Sequence, residues 1–169
     1  MIKKAEVDEL IPKRFQALVF RFFIIFSRFE YALKRGGFIT PKAEPAWDDF
    51  AKKHRKDFAP DKTVALKAAC AYFEAHPPRK QTCVGASLSW SRQLKRTNEP
   101  QLVWLLCMVR RVRNNLFHGG KYPVSHDAEP SRDVTLLKHA ITVLDACLAL
   151  DDSVESHFRS PLTPFDLRK

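Results

Sequence analysis

The chain has few cysteines, and none sits in a metal or disulfide pattern. Cys70, Cys83, Cys107 and Cys147 are widely separated, with no C-x-x-C pair among them. Cys70, Cys107 and Cys147 fall inside apolar helical patterns, where free cysteine acts as a small buried hydrophobe. A zinc site and a disulfide scaffold are therefore both disfavoured, and the expected setting is the reducing cytoplasm. The chain also lacks an apolar run of the roughly 20 residues that a membrane-spanning helix needs. Its most apolar stretch, Phe15 to Phe26, is interrupted by Arg21. The opening residues, Met1-Ile2-Lys3-Lys4-Ala5-Glu6, lack the apolar segment and small-residue cleavage site of a signal peptide. No internal repeat is visible, and no segment reads as a central strand.

What the chain has is positive charge and helical periodicity. Its formal net charge is +10 over 169 residues. This length predicts a single domain over 1–169, large enough to bury a core. The charge suits a polyanionic partner, although charge speaks to association and not to fold. A long first helix is predicted from about Pro12 to Lys34. Phe15, Leu18, Phe22, Ile25, Phe26, Phe29 and Leu33 form its apolar stripe, Arg14, Arg21 and Arg28 lie opposite, and Gly36-Gly37 stops it.

A short helix should follow Pro45, with Trp47, Phe50 and Ala51 inward. The next carries Val64, Leu66, Ala69, Cys70 and Phe73, with Asp61 as a candidate cap and Pro77-Pro78 as its stop. Asn98-Glu99-Pro100 begins another helix, with Asn98 as candidate cap, running to about Phe117 or His118 and ending at Gly119-Gly120. The last helix starts after Ser131 and carries Val134, Leu137, Ile141, Leu144 and Leu148. Residues 151–169 read as an irregular C-terminal tail. The expected fold is all-α, a bundle of four principal helices plus a short additional helix.

Two readings stay open for Arg79 to Thr97. It is either a basic loop over the functional face or an irregular packing segment, with Thr82 to Trp90 as a short extended piece.

The most informative stretch is Arg110-Arg111-Val112-Arg113-Asn114-Asn115-Leu116-Phe117-His118-Gly119-Gly120-Lys121. Arginine presents a planar fork to phosphate oxygens, and histidine moves protons near neutral pH. Together on a basic chain they point to RNA phosphodiester chemistry. On a helical wheel advancing about 100° per residue, Arg113 shares a side with Leu102, Leu106, Val109, Leu116 and Phe117. A charge in that stripe must be paired or reach a wet cleft, and Glu30 is a candidate structural partner. Asn114 and His118, four apart, should be neighbours.

Arg110, Arg111 and Lys121 are candidate RNA-binding residues around this surface. A purely structural role also stands, with Arg113 in a salt bridge and His118 capping the helix. Spacing alone is weakly specific: Arg132 and His139 form a looser pair of the same kind.

Arg113-Asn114-Asn115-Leu116-Phe117-His118 resembles the signature of the HEPN superfamily, an arginine, a polar residue, and a histidine after four to six intervening positions. Gly119-Gly120-Lys121 and the segment Phe29-Glu30-Tyr31-Ala32-Leu33 are also similar to members of that family. The resemblance implies an all-α HEPN-like bundle, commonly a homodimer with the two motifs facing each other. It implies RNA as substrate, no metal and no cofactor, and for many members a role as toxin or in defence, which makes an antitoxin a possible partner.

The catalytic residues it implies are Arg113, Asn114 and His118. Imidazole can take the proton of a ribose 2′-hydroxyl or protonate the leaving 5′-oxygen. Arg113 would stabilise the phosphorane, and Asn114 would orient His118 or the phosphate. The implied products are a 2′,3′-cyclic phosphate and a 5′-hydroxyl. Two other functions remain open: a non-catalytic RNA- or nucleotide-binding module, and an oligomerising interaction protein.

Overall fold

The computed structural model describes residues 13–92, 98–117 and 130–161. The expected helix stop and motif residues between 118 and 129, including His118 and Lys121, lie outside the described residues. The described residues are mostly helical and form six helices and one β-hairpin: α1 (Lys13–Arg35), α2 (Trp47–His54), α3 (Val64–Ala75), β1 (Lys80–Val84), β2 (Ser87–Ser91), α4 (Gln101–Phe117), α5 (Pro130–Leu148) and α6 (Asp152–Arg159). Among the described residues no helix is long and apolar enough to cross a membrane.

The first helix ends where glycine permits a tight reversal. Gly37 has φ +92°, Phe38 N–H donates to Leu33 O at 2.8 Å, and Gly37 N–H donates to Lys34 O at 3.4 Å. This pair of bonds closes the helix by satisfying carbonyls that would otherwise be orphaned. Phe22, Phe26, Phe29 and Leu33 of α1 are buried, and α2 packs its Trp47 flat against Phe29 with centroids 5.2 Å apart. Phe50 meets the edges of Phe29 and Phe38. These offset and edge contacts exploit the ring quadrupole as well as apolar burial.

Helix α4 is central. It packs against α2, α3, α5 and β1, and buries Leu102, Trp104, Leu105, Leu106, Met108, Val109 and Val112.

Three expectations need correction, and the helical class gains one addition: the extended piece within Arg79 to Thr97 is an antiparallel hairpin with Gln81 opposite Trp90 and Cys83 opposite Leu88. Gly85, with φ +60°, opens its two-residue turn, as a type II′ turn requires of its first central position. The cap of α3 is Thr63, whose side chain accepts from Leu66 N–H at 3.0 Å, not Asp61. At the start of α4 the first helical hydrogen bond goes to Pro100 O from Trp104 N–H, so Asn98 lies outside the cap position.

The third correction is the tail: residues 152–159 form α6. Asp151 caps it by accepting from Ser153 N–H and Val154 N–H, each at 3.1 Å. Its far end is closed by Arg28 of α1, whose guanidinium donates to the carbonyls of His157, Phe158 and Ser160. A Cβ on Gly36 would stand 2.8 Å from Val154 Cγ2, so glycine allows α6 to lie close to the end of α1.

Asp151 also receives Lys53 Nζ at 3.0 Å and lies 3.2 Å from His54 Nε2. Burial acts to raise the Asp151 pKa, but hydrogen bonds from Lys53, Val154 and His54 outweigh it and hold the carboxyl below its ordinary value. A depressed folded-state pKa stabilises the protein above the unfolded-state value and loses that contribution as pH falls through the folded one. Asp151→Ala should therefore lower unfolding free energy by about 1–2 kcal/mol at pH 7. In urea melts, the gap from wild type should narrow below about pH 4.

Candidate functional site

The connection from α3 to β1 is held by three successive carbonyls. Pro77 O accepts from Arg132 Nη2 at 3.2 Å, Pro78 O from Arg111 Nη1 at 3.4 Å, and Arg79 O from Asn115 Nδ2 at 2.9 Å. Two prolines in a row supply no N–H and cannot enter a helix interior. Their carbonyls are buried acceptors that need side-chain donors, and α4 and α5 provide them. The root of the hairpin is thereby fixed against the second half of α4.

Between hairpin and helix lies an open cleft of about 410 Å³, lined by Lys80, Gln81, Cys107, Arg110, Arg111, Asn114 and Asn115. Cys107, Arg110, Arg111 and Asn114 follow helical i, i+3, i+4, i+7 spacing and so share one side of α4. The described lining holds three cations and three amides and no carboxylate. Its volume falls in the range of small-ligand sites, and its chemistry suits a phosphate group. Arg110 pairs with Asp48 at 2.7 Å, with both side chains well exposed. A surface pair of that kind is weak and leaves Arg110 open to an incoming anion.

Arg111 is not the surface residue expected. It is buried, at 8% exposure, and its donors approach Pro78 O and the sulfurs of Met108 and Cys107. Burial lowers its pKa, with Cys107 acting in the opposite direction. It forms part of the cleft wall while bracing the connection.

Arg113 occupies a different side of α4. Its guanidinium carbon lies 5.7 Å from the centroids of both Phe26 and Phe117. The expected partner Glu30 is engaged elsewhere, accepting from Trp47 Nε1 at 3.3 Å. Aromatic faces take the place of the carboxylate. The guanidinium is weakly hydrated and stacks readily, and such contacts contribute roughly 0.5–2 kcal/mol. Arg113 Nη1 also donates to Asn114 Oδ1 at 3.1 Å. Asn114, itself exposed and lining the cleft, thus links Arg113 to it.

The looser pair Arg132 and His139 proves structural. Arg132 braces Pro77, and His139 packs on Tyr72 with centroids 4.8 Å apart. Burial lowers the His139 pKa and so favours its neutral form. Among the described residues no group of three or more His, Cys, Asp or Glu side chains is arranged to hold a metal ion.

Lys80, Gln81 and Asn115 line the cleft but were not among the candidate site residues, although Asn115 lies in the stretch singled out from sequence and Lys80 in the basic segment. The signal for the hairpin was present in Ser87-Leu88-Ser89-Trp90-Ser91, which alternates polar and apolar residues strictly. Comparison with protein-family models, curated proteins and solved structures finds no match to this chain.

Asn115→Ala should remove the donor to Arg79 O and cost about 1–2 kcal/mol. Hydrogen exchange should then accelerate in the β1 amides nearest the root, with α1 unaffected. Unchanged protection throughout β1 would contradict the bracing role.

Proposed function

We propose that the protein is a HEPN-type endoribonuclease that cleaves RNA by attack of a ribose 2′-hydroxyl, leaving a 2′,3′-cyclic phosphate. The observation that carries this reading is the link from Arg113 through Asn114 to the cationic cleft, near the end of α4, whose last residue Phe117 precedes His118 in the sequence. In the proposed reaction Arg113 stabilises the charge that builds on phosphorus. Asn114 orients the phosphate or His118. Arg110 draws the RNA backbone to the cleft.

One chain supplies one motif histidine, whereas the reaction needs a base for the 2′-hydroxyl and an acid for the 5′-oxygen. A homodimer provides both. Phe20, Phe23 and Ile24 of α1 and Phe117 of α4 are exposed apolar side chains, and Phe23 meets Phe117 with centroids 5.4 Å apart. This patch adjoins Arg113, and contiguous exposed apolar surface marks an interaction site. Its position supports a dimer in which the two motifs approach.

Wild-type protein should cleave single-stranded RNA in the presence of EDTA and leave DNA of the same sequence intact, because DNA lacks the nucleophile. His118→Ala should lower the rate about 100- to 10,000-fold, and Arg113→Ala roughly 100- to 1,000-fold. Full activity in both variants would overturn the assignment. Salt-sensitive binding without cleavage by wild type would instead identify a non-catalytic RNA-binding module.

The dimer is tested separately by Phe23→Glu, which should shift wild-type dimers to monomers in sedimentation velocity and abolish cleavage together with association. A monomeric wild type that cleaves RNA would refute the two-histidine arrangement.

A further inference from the structure

The hairpin carries an aromatic side chain that neither the core nor the proposed reaction uses. Trp47 and Trp104 are 5% and 1% exposed, whereas Trp90 is 37% exposed and neighbouring Leu88 is 73% exposed. Leaving Leu88 and about a third of Trp90 in water forgoes part of the gain from burying them. Register specifies which side of the hairpin they occupy. Gln81 pairs with Trp90 and Cys83 with Leu88, and residues directly opposite in an antiparallel pair project to the same face. Lys80 and Gln81 both line the cleft, so the cleft meets the hairpin along the start of β1, and Trp90 shares a face with Gln81, one of its lining residues. Adjacent strands lie about 4.8 Å apart, which puts the indole within one side chain's reach of the cleft.

We propose that Trp90 is a stacking platform for a base of single-stranded RNA whose phosphate is held in the adjoining cleft by Lys80 and Arg110. This inference rests on RNA being the ligand. An exposed indole alone would fit many partners. Its position beside a cleft with three cations and no described carboxylate selects a polyanion that also carries flat π surfaces. Every base has such a surface, so stacking tolerates sequence, while a duplex hides its bases within the helix. Lys80 begins the strand that carries Gln81 and supplies a mobile point charge to the phosphate. The hairpin thus places single-strand recognition on one side of Asn114, with Arg113 on the other.

The test uses full-length protein carrying His118→Ala, so that RNA is retained, and a mixed-sequence 12-nucleotide RNA offered as single strand and as duplex. Binding is read by anisotropy of labelled RNA and by tryptophan emission. Single-stranded RNA should quench emission, and Trp90→Leu should abolish the quench and weaken single-strand binding about 10-fold. Trp90→Phe, which keeps a ring, should restore most of that affinity. Lys80→Ala should reduce the salt dependence of binding by roughly one phosphate contact.

Single-strand binding with no change in emission and an unaffected Trp90→Leu variant would overturn the platform while leaving RNA as the ligand. Equal losses of single-strand and duplex binding in both Trp90 variants would overturn it in favour of a structural role. No RNA binding at all would overturn both this inference and the functional reading beneath it. Emission quenched by vesicles of mixed phosphatidylglycerol and phosphatidylcholine, but not by RNA, would assign the face to a membrane surface instead.

Discussion

Three consecutive carbonyl oxygens control how the candidate site is assembled. Pro77 and Pro78 bring the chain out of α3 with no N–H groups to offer, and Arg132, Arg111 and Asn115 satisfy the acceptors from Pro77 to Arg79. Each donor belongs to a long helix, so the bonds tie the hairpin to α4 and α5 at once. Without them the hairpin would be a two-stranded ribbon, and such ribbons are marginally stable at best in water. The cleft is therefore a by-product of backbone satisfaction: it opens where β1 stands away from α4 just beyond the braced root. This arrangement also explains a buried arginine. Arg111 loses hydration, but its donors face a carbonyl and two sulfurs, and its charge remains at the cleft wall.

Successive residues of α4 divide their roles by angle. Arg110, Arg111 and Asn114 look toward the hairpin, while Arg113 and Phe117 look toward α1. A carboxylate buried beside Arg113 would add its own desolvation penalty, which often exceeds the Coulombic return. Phe26 and Phe117 meet the cation without that penalty and leave its hydrogen-bonding edge usable. Asn114 accepts one of those donors. An arginine held against rings is restrained in orientation without being neutralised, which is what the proposed role beside a developing negative charge would require.

The legible parts of the sequence were those with a sustained period. The four long helices were read from their apolar stripes, because Phe22, Phe26, Phe29 and Leu33, for example, recur as a helix demands and are all buried. Short elements were read less fully: α2 was expected after Pro45, the hairpin only as an extended piece, and α6 not at all. The hairpin strands are only five residues each, and β1, Lys80-Gln81-Thr82-Cys83-Val84, does not alternate as β2 does. α6 offered a cap at Asp151, acidic residues in its first turn, and Val154 and Phe158 four apart, but too few turns to establish a period.

Partner choice escaped for a different reason. A helical wheel says which residues share a side, not which neighbour arrives there. It placed Arg113 in the apolar stripe correctly, yet the neighbours proved to be aromatic rings, while Glu30 found Trp47. It did not bury Arg111, because nothing in α4 announces that the Pro77-Pro78 connection crosses that face.

The geometry also constrains how an RNA would have to travel on the proposed reading. The cationic cleft lies on the hairpin side of α4, whereas the exposed phenylalanines lie on the α1 side, and Asn114 stands between them through its contact with Arg113. A strand held only in the cleft would touch Arg110 and Lys80 without reaching a second histidine. A chain docked only on the apolar patch would bring another motif without holding a phosphate. On the proposed reading the two surfaces would be complementary requirements of one reaction, the cleft orienting the strand within a protomer and the patch bringing the second proton-transfer group from another copy. Arg113 lies at the junction of the two surfaces, against Phe26 and Phe117 and bonded to Asn114, the position such a reaction would require of a phosphate-stabilising group.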